Sequence, residues 1–118
     1  TKLVYNLNIL SQNAALAAMD YADEILAHNI PPTLAARQHF MDALKDVPNL
    51  TVYPSATNFV LVRVPDGPAM VKALHDADIC VRSYKAADLK NCLRITITTD
   101  DVVRRVVAVM TEEAKKYA

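Results

Sequence analysis

Apolar residues recur at helical spacing in the first third of the chain, from Ser11 onward. Before that point the segment TKLVYNLNIL shows no periodicity, so residues 1–10 are predicted to be an extended lead-in. Ser11 is a favourable N-cap, and a helix is predicted from it to about Asn29. One apolar stripe of this helix is formed by Ala15, Leu16, Met19, Ala22, Ile25 and Leu26.

Pro31–Pro32 is predicted to interrupt this helix, because proline lacks a backbone donor and restricts the residue before it. A second helix is predicted from Pro32 or Thr33 to about Leu44 or Lys45. Its apolar positions are Leu34, Phe40, Met41 and Leu44.

Short apolar runs separated by turn residues predict strands in the rest of the chain. The run NFVLVRV is the most apolar and is predicted to be a central strand, covered on both faces or nearly so. In CLRITIT, Leu93, Ile95 and Ile97 alternate with Cys92, Arg94 and Thr96, so Arg94 is predicted to face away from the core. The predicted strands are Leu50–Tyr53, Asn58–Val64, Ile79–Arg82 and Cys92–Thr98.

Two further helices have clear start signals. Asp66-Gly67-Pro68 predicts a helix to Ala77, and Thr99-Asp100-Asp101 predicts the last helix. The predicted order is therefore α–α–β–β–α–β–β–α, with residues 11–118 forming a single domain. We predict an α+β fold, a two-layer sandwich in which helices cover one face of a small, mostly antiparallel or mixed sheet.

Composition narrows the function classes. The 118 residues carry 13 basic and 13 acidic side chains without a basic block, which argues against a nucleic-acid partner. No apolar run is long enough to span a membrane, and no signal peptide is seen at the start. Cys80 and Cys92 lie in strand-like runs, and the favoured interpretation is two buried thiols of a cytosolic protein, with a disulfide as the alternative.

Glycine is unusually scarce, since Gly67 is the only one. Turns that need a positive φ must therefore use the next most tolerant residues, asparagine and aspartate. Asn49, Asp78 and Asn91 lie where such turns are expected.

Arg82 and Arg94 are the candidate functional residues, because each lies in an otherwise apolar strand. A guanidinium suits carboxylate and phosphate groups, so the two side chains are interpreted as an anion site with loop 83–91 as its lip. The alternative is that Arg94 pairs with a structural carboxylate or a backbone carbonyl. Arg63 is placed at the rim, and the sequence shows no nucleophile–base pair, metal spacing or glycine-rich phosphate loop.

The runs NFVLVRVPD, ALHDADICVRSY and LKNCLRIT resemble the C-terminal part of histidinol-phosphate aminotransferases, which are fold-type I pyridoxal-phosphate enzymes. The opening VYNLNILSQNAALAAMDYADEI also resembles that family, so the resemblance covers essentially the whole chain. The separation between CVR and CLRIT is fairly specific to histidinol-phosphate transaminases, although related decarboxylases and aromatic transaminases share the layout.

The resemblance implies the small domain of a cytoplasmic transaminase of histidine biosynthesis, acting on histidinol phosphate with 2-oxoglutarate or glutamate. We also expect a homodimer or larger self-associated species, because residues 1–10 and the Arg94 face would expose apolar surface. It implies that Arg94 binds the acidic group of the substrate and that Arg82 helps to hold the phosphate of histidinol phosphate. Tyr5–Asn8 resembles a segment near the dimer interface and the cofactor phosphate of the neighbouring subunit.

The resemblance also implies that a large domain supplies the Schiff-base lysine, the aspartate on the pyridine nitrogen and the aromatic ring on the cofactor. The lysines of this chain lie at polar helix or loop positions, for example Lys45, Lys72, Lys85 and Lys90. We therefore expect this chain alone neither to bind pyridoxal phosphate nor to transaminate, and we assign it no catalytic, cofactor-binding or metal-binding residue.

Some positions depart from the family pattern. Thr98 and Asp78 stand where the family uses glycine, and Pro31–Pro32 falls where relatives run one long helix. Two other hypotheses stay open at this stage. One is a free-standing α+β binding or interaction module that kept the fold but not the reaction. The other is the small domain of a related transaminase or decarboxylase.

Overall fold

A computed structural model describes residues 7–118. Most of the predicted lead-in, including Tyr5 and Asn6 of the interface-like segment, lies outside the described residues. The chain forms two compact units, Thr1–Pro31 and Pro32–Ala118. The order of the helices and strands agrees with the predicted order.

The first helix, α1, spans Ile9–Met19 and begins before the predicted position. Its N-cap is Asn8, whose side-chain oxygen accepts a hydrogen bond from the backbone N–H of Ser11 at 2.9 Å. Ser11 is therefore a residue of the first turn and not the cap, and Ile9 and Leu10 are helical rather than extended. An asparagine caps as well as a serine does, so the cap that lies earlier in the chain starts the helix.

The second helix, α2, spans Ala22–Leu44, and the predicted break at Pro31–Pro32 was wrong. The break that exists lies earlier, at Asp20–Tyr21, between α1 and α2. Both prolines lie at exposed positions, as do Ala27 and His28, whose carbonyls lose their helical donors. Exposure lets water replace the missing donors, which lowers the cost of proline inside a helix.

The apolar stripe predicted for the first helix is not buried by any described residue. Helix α1 has no buried residue, and Leu16 and Met19 are 68% and 70% exposed. Ile25 and Leu26 of α2 are exposed as well. Periodicity correctly indicated a helix here, but it does not say what covers its apolar side.

The sheet has four strands in the order β1-β2-β4-β3, and all its pairings are antiparallel. Five residues of β2 pair with five of β4, from Phe59↔Thr96 to Arg63↔Cys92. Strand β2 is a central strand, as predicted, with Val60 and Val62 fully buried. The strands are β1 Thr51–Val52, β2 Phe59–Arg63, β3 Arg82–Ser83 and β4 Cys92–Thr96.

Strand β3 is shorter than the predicted Ile79–Arg82. The backbone N–H of Ile79 bonds the carbonyl of Leu74, so that residue closes the turn after the preceding helix and cannot join the sheet. That helix, α3, spans Gly67–Asp76, and Asp66 caps it as predicted by accepting from the backbone N–H of Ala69 at 3.0 Å.

The hydrophobic core lies between one face of the sheet and the helices of the second unit. Val60, Val62, Leu93, Ile95 and Ile97 line the sheet side, which confirms the alternation predicted for CLRITIT. The last helix, α4, spans Asp100–Lys115. The helices contribute Ala36, Phe40 and Leu44 from α2, Met70 and Leu74 from α3, and Val103, Val106, Met110 and Ala114 from α4. The α+β fold with helices on one sheet face is thereby confirmed.

The turns use asparagine and aspartate largely as predicted. Asn49 and Asp78 have φ values of 64° and 59°, which confirms two of the three expected positions. Asn91 instead acts through its side chain. It accepts a hydrogen bond from the N–H of Gly67 and donates one to the carbonyl of Pro65, which ties the start of α3 to the end of the β3–β4 loop.

Candidate anion-binding site

The strands present a second face, opposite the one that lines the core, and both candidate arginines lie on it. Residues that pair directly in antiparallel strands share a face of the sheet. Because Leu61 pairs with Arg94 and Arg94 pairs with Arg82, these three residues form one row across β2, β4 and β3. Phe59 and Thr96 form the next row along the same face.

Arg82 and Arg94 are direct cross-strand partners. Side chains in such pairs have Cβ atoms about 4.5–5.5 Å apart, and two like charges at this position repel one another. No carboxylate among residues 7–118 forms an ion pair with either arginine. The pair therefore concentrates positive charge at one point of the sheet, where an anion would be attracted.

Arg94 is half-buried, and its guanidinium lies over the ring of Phe59, with Cζ 5.1 Å from the ring centroid. Its Nε is buried and has no hydrogen-bond partner in the described chain. The alternative was that Arg94 pairs with a structural carboxylate or a backbone carbonyl. No described residue forms such a pair with it. No terminal nitrogen of this guanidinium makes a hydrogen bond or ion pair with a residue of the described range.

Arg82 is exposed, at the edge strand β3. It lines a surface groove of about 510 Å³ together with Val81, Ser83, Tyr84 and Lys85. Arg94 is not part of this groove, so the structure brings the two arginines together through strand pairing and not through one shared cavity. Lys85 adds a further positive charge from the predicted lip.

Arg63 lies on the same face, opposite Cys92, and is already engaged. Its Nε donates to the hydroxyl of Tyr53 at 3.1 Å and one terminal nitrogen donates to the carbonyl of Asp88 at 3.4 Å. The bond to Tyr53 is the main cause that raises the pKa of Arg63. These contacts hold the β3–β4 loop against β2, which agrees with the rim position expected from the sequence.

Phe59 is the site residue that the sequence did not reveal. It was interpreted only as part of an apolar strand, because its relation to Arg94 depends on the register of β2 against β4. No signal for this contact was present in the sequence, because NFVLVRV was predicted to be covered on both faces and only CLRITIT was predicted to alternate.

The remaining reactive side chains do not form a second site. Cys92 is buried and Cys80 is exposed, and both are free thiols, so the expectation of two buried thiols holds only for Cys92. Within the described range no group of three or more His, Cys, Asp or Glu side chains is placed to hold a metal ion. No helix among these residues is both long and apolar enough to cross a membrane.

The described lysines do not fit the role of a Schiff-base residue. Lys45, Lys72 and Lys115 pair with exposed carboxylates, and the exposed Lys116 pairs with the buried carboxylate of Glu113. Lys85 and Lys90 are exposed in the β3–β4 loop. A lysine becomes a useful amine nucleophile when an apolar pocket or a neighbouring cation lowers its pKa. Lys116 does line a mostly apolar pocket with Ala73 and Val109, but its hydrogen bond to Glu113 raises its pKa instead.

Comparison with known proteins identifies the kind of protein to which this sheet belongs. No protein-family model matches the chain. The chain is 34% identical over 99 residues to histidinol-phosphate aminotransferase 1 of Ralstonia nicotianae, a match that covers 82% of this chain and 26% of that protein. The chain belongs to the aminotransferases, as their C-terminal region.

Solved aminotransferase structures agree with this assignment. A putative aminotransferase from Burkholderia pseudomallei superposes with a TM-score of 0.81 at 30% identity, over 96% of this chain and 34% of that one. A histidinol-phosphate aminotransferase from Sinorhizobium meliloti, solved in complex with pyridoxal-5'-phosphate, gives a TM-score of 0.67 at 31% identity, over 89% and 28%. This aminotransferase region therefore spans about a quarter to a third of the proteins it resembles.

Proposed function

We propose that this chain supplies the arginine clamp for the acidic group of the substrate in a pyridoxal-phosphate-dependent aminotransferase. The reaction proposed for the whole protein is the transamination of histidinol phosphate with 2-oxoglutarate, or its reverse with glutamate, in the cytoplasm. The observation that carries the proposal is the Arg82–Arg94 cross-strand pair, which has no carboxylate partner among the described residues.

The clamp suits both half-reactions for a chemical reason. The phosphate monoester of histidinol phosphate and the distal carboxylate of glutamate or 2-oxoglutarate are both anions with oxygens in a geometry that a guanidinium fork binds in pairs. A ligand between the two guanidinium groups also relieves their repulsion. The same pair of arginines is therefore able to accept each substrate in turn.

Binding of small anions to the chain itself tests the clamp. Inorganic phosphate, 2-oxoglutarate and histidinol phosphate are titrated into the labelled chain while the arginine Nε–H signals are followed by NMR. We expect saturable shifts at Arg82 and Arg94. Arg94→Gln should weaken phosphate binding by about tenfold or more, because it removes charge-assisted hydrogen bonds.

Arg104→Gln is the matched control, because Arg104 is an exposed arginine of α4 that pairs with Asp100. It should bind phosphate as the unsubstituted chain does. If Arg94→Gln and Arg104→Gln lost phosphate binding equally, the loss would come from the change in net charge alone. That result would contradict a defined clamp. Absence of phosphate-dependent shifts at Arg82 and Arg94 would contradict the site itself.

We further propose that this chain alone does not transaminate and does not hold the cofactor covalently, because its described lysines are surface ion-pair or loop residues. Mixing the chain with pyridoxal phosphate and reducing with borohydride should leave no single labelled lysine in a peptide map. Stoichiometric labelling at one defined lysine would contradict this.

Self-association is proposed as well. In the first unit, α1 buries no residue, although it carries Leu10, Leu16 and Met19 on its surface. Exposed apolar area of this kind favours association with another protein surface, here a second copy of the chain. Of the two surfaces expected from the sequence, residues 1–10 lie largely outside the described residues, and the Arg94 face is a weaker candidate than α1 because Phe59, Leu61 and Arg94 are half-buried.

A further inference from the structure

The guanidinium of Arg94 is held differently from that of the other arginine with a buried Nε. Arg37 also has a buried, unpartnered Nε, but one of its terminal nitrogens donates to the carbonyl of Thr57 at 2.8 Å. Arg94 makes no hydrogen bond to any described residue, and its one specific contact is the ring of Phe59. Among residues 7–118, the ring of Phe59 is therefore the one specific partner of the Arg94 guanidinium.

Contact with a ring, in place of a hydrogen bond, would suit an Arg94 side chain that binds an anion. A hydrogen-bonded acceptor would fix the guanidinium but would occupy N–H groups that the ligand needs. A ring face attracts the cation without using any of its N–H donors. It also opposes the displacement of Arg94 by the like charge of Arg82, its direct cross-strand partner.

We infer that Phe59 is a positioning residue, whose ring holds the Arg94 guanidinium in place for the anion that the clamp binds. The inference rests on the proposed clamp, since it assigns Phe59 a role in that same site. Phe59 reaches Arg94 diagonally, because it pairs with Thr96, two residues further along β4. The cation–ring distance of 5.1 Å lies within the range of about 6 Å in which such contacts are attractive.

Two substitutions of Phe59 distinguish the effect of its aromatic ring face from the effect of its side-chain volume. Phe59→Leu keeps an apolar side chain and removes the aromatic face, whereas Phe59→Tyr keeps both. The ring of Phe59 attracts the Arg94 cation more strongly than a leucine side chain would. Phe59→Leu is therefore expected to weaken inorganic phosphate binding by about two- to fivefold. Phe59→Tyr should bind within about twofold of the unsubstituted chain.

A spectroscopic measurement reports the positioning directly. The ring current of Phe59 displaces the Nε–H proton signal of Arg94, and this displacement should vanish in Phe59→Leu and persist in Phe59→Tyr, both without ligand. A purely structural role for Phe59 would alter thermal stability but would leave folded Phe59→Leu and Phe59→Tyr with equal affinity for phosphate. If Phe59→Leu does not fold, Phe59→Met takes its place, because methionine fills irregular space without an aromatic face.

The outcomes separate the inference from the proposal on which it rests. If the unsubstituted chain binds phosphate and Phe59→Leu or Phe59→Met binds it equally well, the role of Phe59 is wrong and the clamp stands. If the unsubstituted chain shows no phosphate-dependent shift at Arg94, both are wrong. Weaker binding in Phe59→Leu with rescue in Phe59→Tyr supports both.

Discussion

Gly67 is kept as glycine by a neighbouring backbone and not by its own dihedral angles. Its φ is not in the positive region, but a Cβ at this position would lie 2.5 Å from the carbonyl oxygen of Lys90 and 3.2 Å from the Cα of Asn91. The hydrogen bond from the Gly67 N–H to the Asn91 side chain draws the two segments together. The chain's only glycine therefore stands where the β3–β4 loop touches the start of α3.

Gly67→Ala should therefore destabilise the chain, by about 1–3 kcal/mol, because the added methyl meets backbone atoms that cannot rotate away. Helix propensity alone predicts the opposite sign, a gain of about 0.5–1 kcal/mol, which makes the result decisive. Urea unfolding followed by circular dichroism measures the difference. Asp78→Gly is the companion variant. It should leave stability unchanged or raise it, because Asp78 has a φ of 59° that glycine adopts without strain.

The positive-φ positions show which turns were predictable. Asn49 and Asp78 could be predicted because a chain so short of glycine must place asparagine or aspartate at such turns. The two hydrogen bonds of the Asn91 side chain could not be predicted, because its partners Pro65 and Gly67 lie 26 and 24 residues away in sequence.

Helices α2 and α4 are joined by a polar contact at the start of α4. The Nδ1 atom of His39 lies 2.5 Å from a carboxylate oxygen of Asp100, whose other oxygen accepts from Nε of Arg104 at 2.7 Å. These bonds, that of His39 first, hold the pKa of Asp100 below its usual value. Asp100 is also in the first turn of α4, where a negative charge is favourable.

The contribution of Asp100 to stability should depend on pH. Its pKa is lower in the folded than in the unfolded chain, so its ionised form stabilises the fold above the unfolded pKa of about 3.9. That contribution is lost as the pH falls from there through the folded pKa. Asp100→Asn should lower the thermal midpoint at neutral pH, and the difference from the unsubstituted chain should shrink below about pH 4.

Asp46→Asn serves as the control, because Asp46 lies in a turn and forms none of the ion pairs found among the described residues. Its thermal midpoint should follow that of the unsubstituted chain at every pH. A constant difference between Asp100→Asn and the unsubstituted chain from neutral pH to pH 3 would show that the carboxylate charge is not what matters.

At the scale of the whole molecule, exposed apolar residues are concentrated in one part of the chain. Among the described residues, the large apolar side chains that are exposed lie between Leu7 and Leu34, apart from Tyr117. The second unit buries its own core. Residues 7–31 of the first unit contribute no buried residue to that core.

The proposed self-association should therefore depend on the first unit. We expect sedimentation to show a dimer or larger species that grows with concentration, and Leu16→Gln combined with Met19→Gln to shift it toward monomer. Asn13→Gln, a polar exchange at an exposed position of the same helix, should leave the distribution unchanged. A monomer at high concentration in the unsubstituted chain would contradict the proposal.

The sequence by itself determined the order of the elements, the α+β class, the core side of β4 and the two arginines of the candidate site. These features follow from the periodicity and the residue types within single segments, so they can be predicted from each segment alone. It misplaced the break between the first helices, because the cost of a proline depends on whether water replaces the lost hydrogen bond. Only the tertiary structure decided that Arg82 opposes Arg94, that Phe59 lies against Arg94, and that α1 has no buried side. Each of these depends on strand register or on packing between residues far apart in sequence, and neither is a property of any one segment.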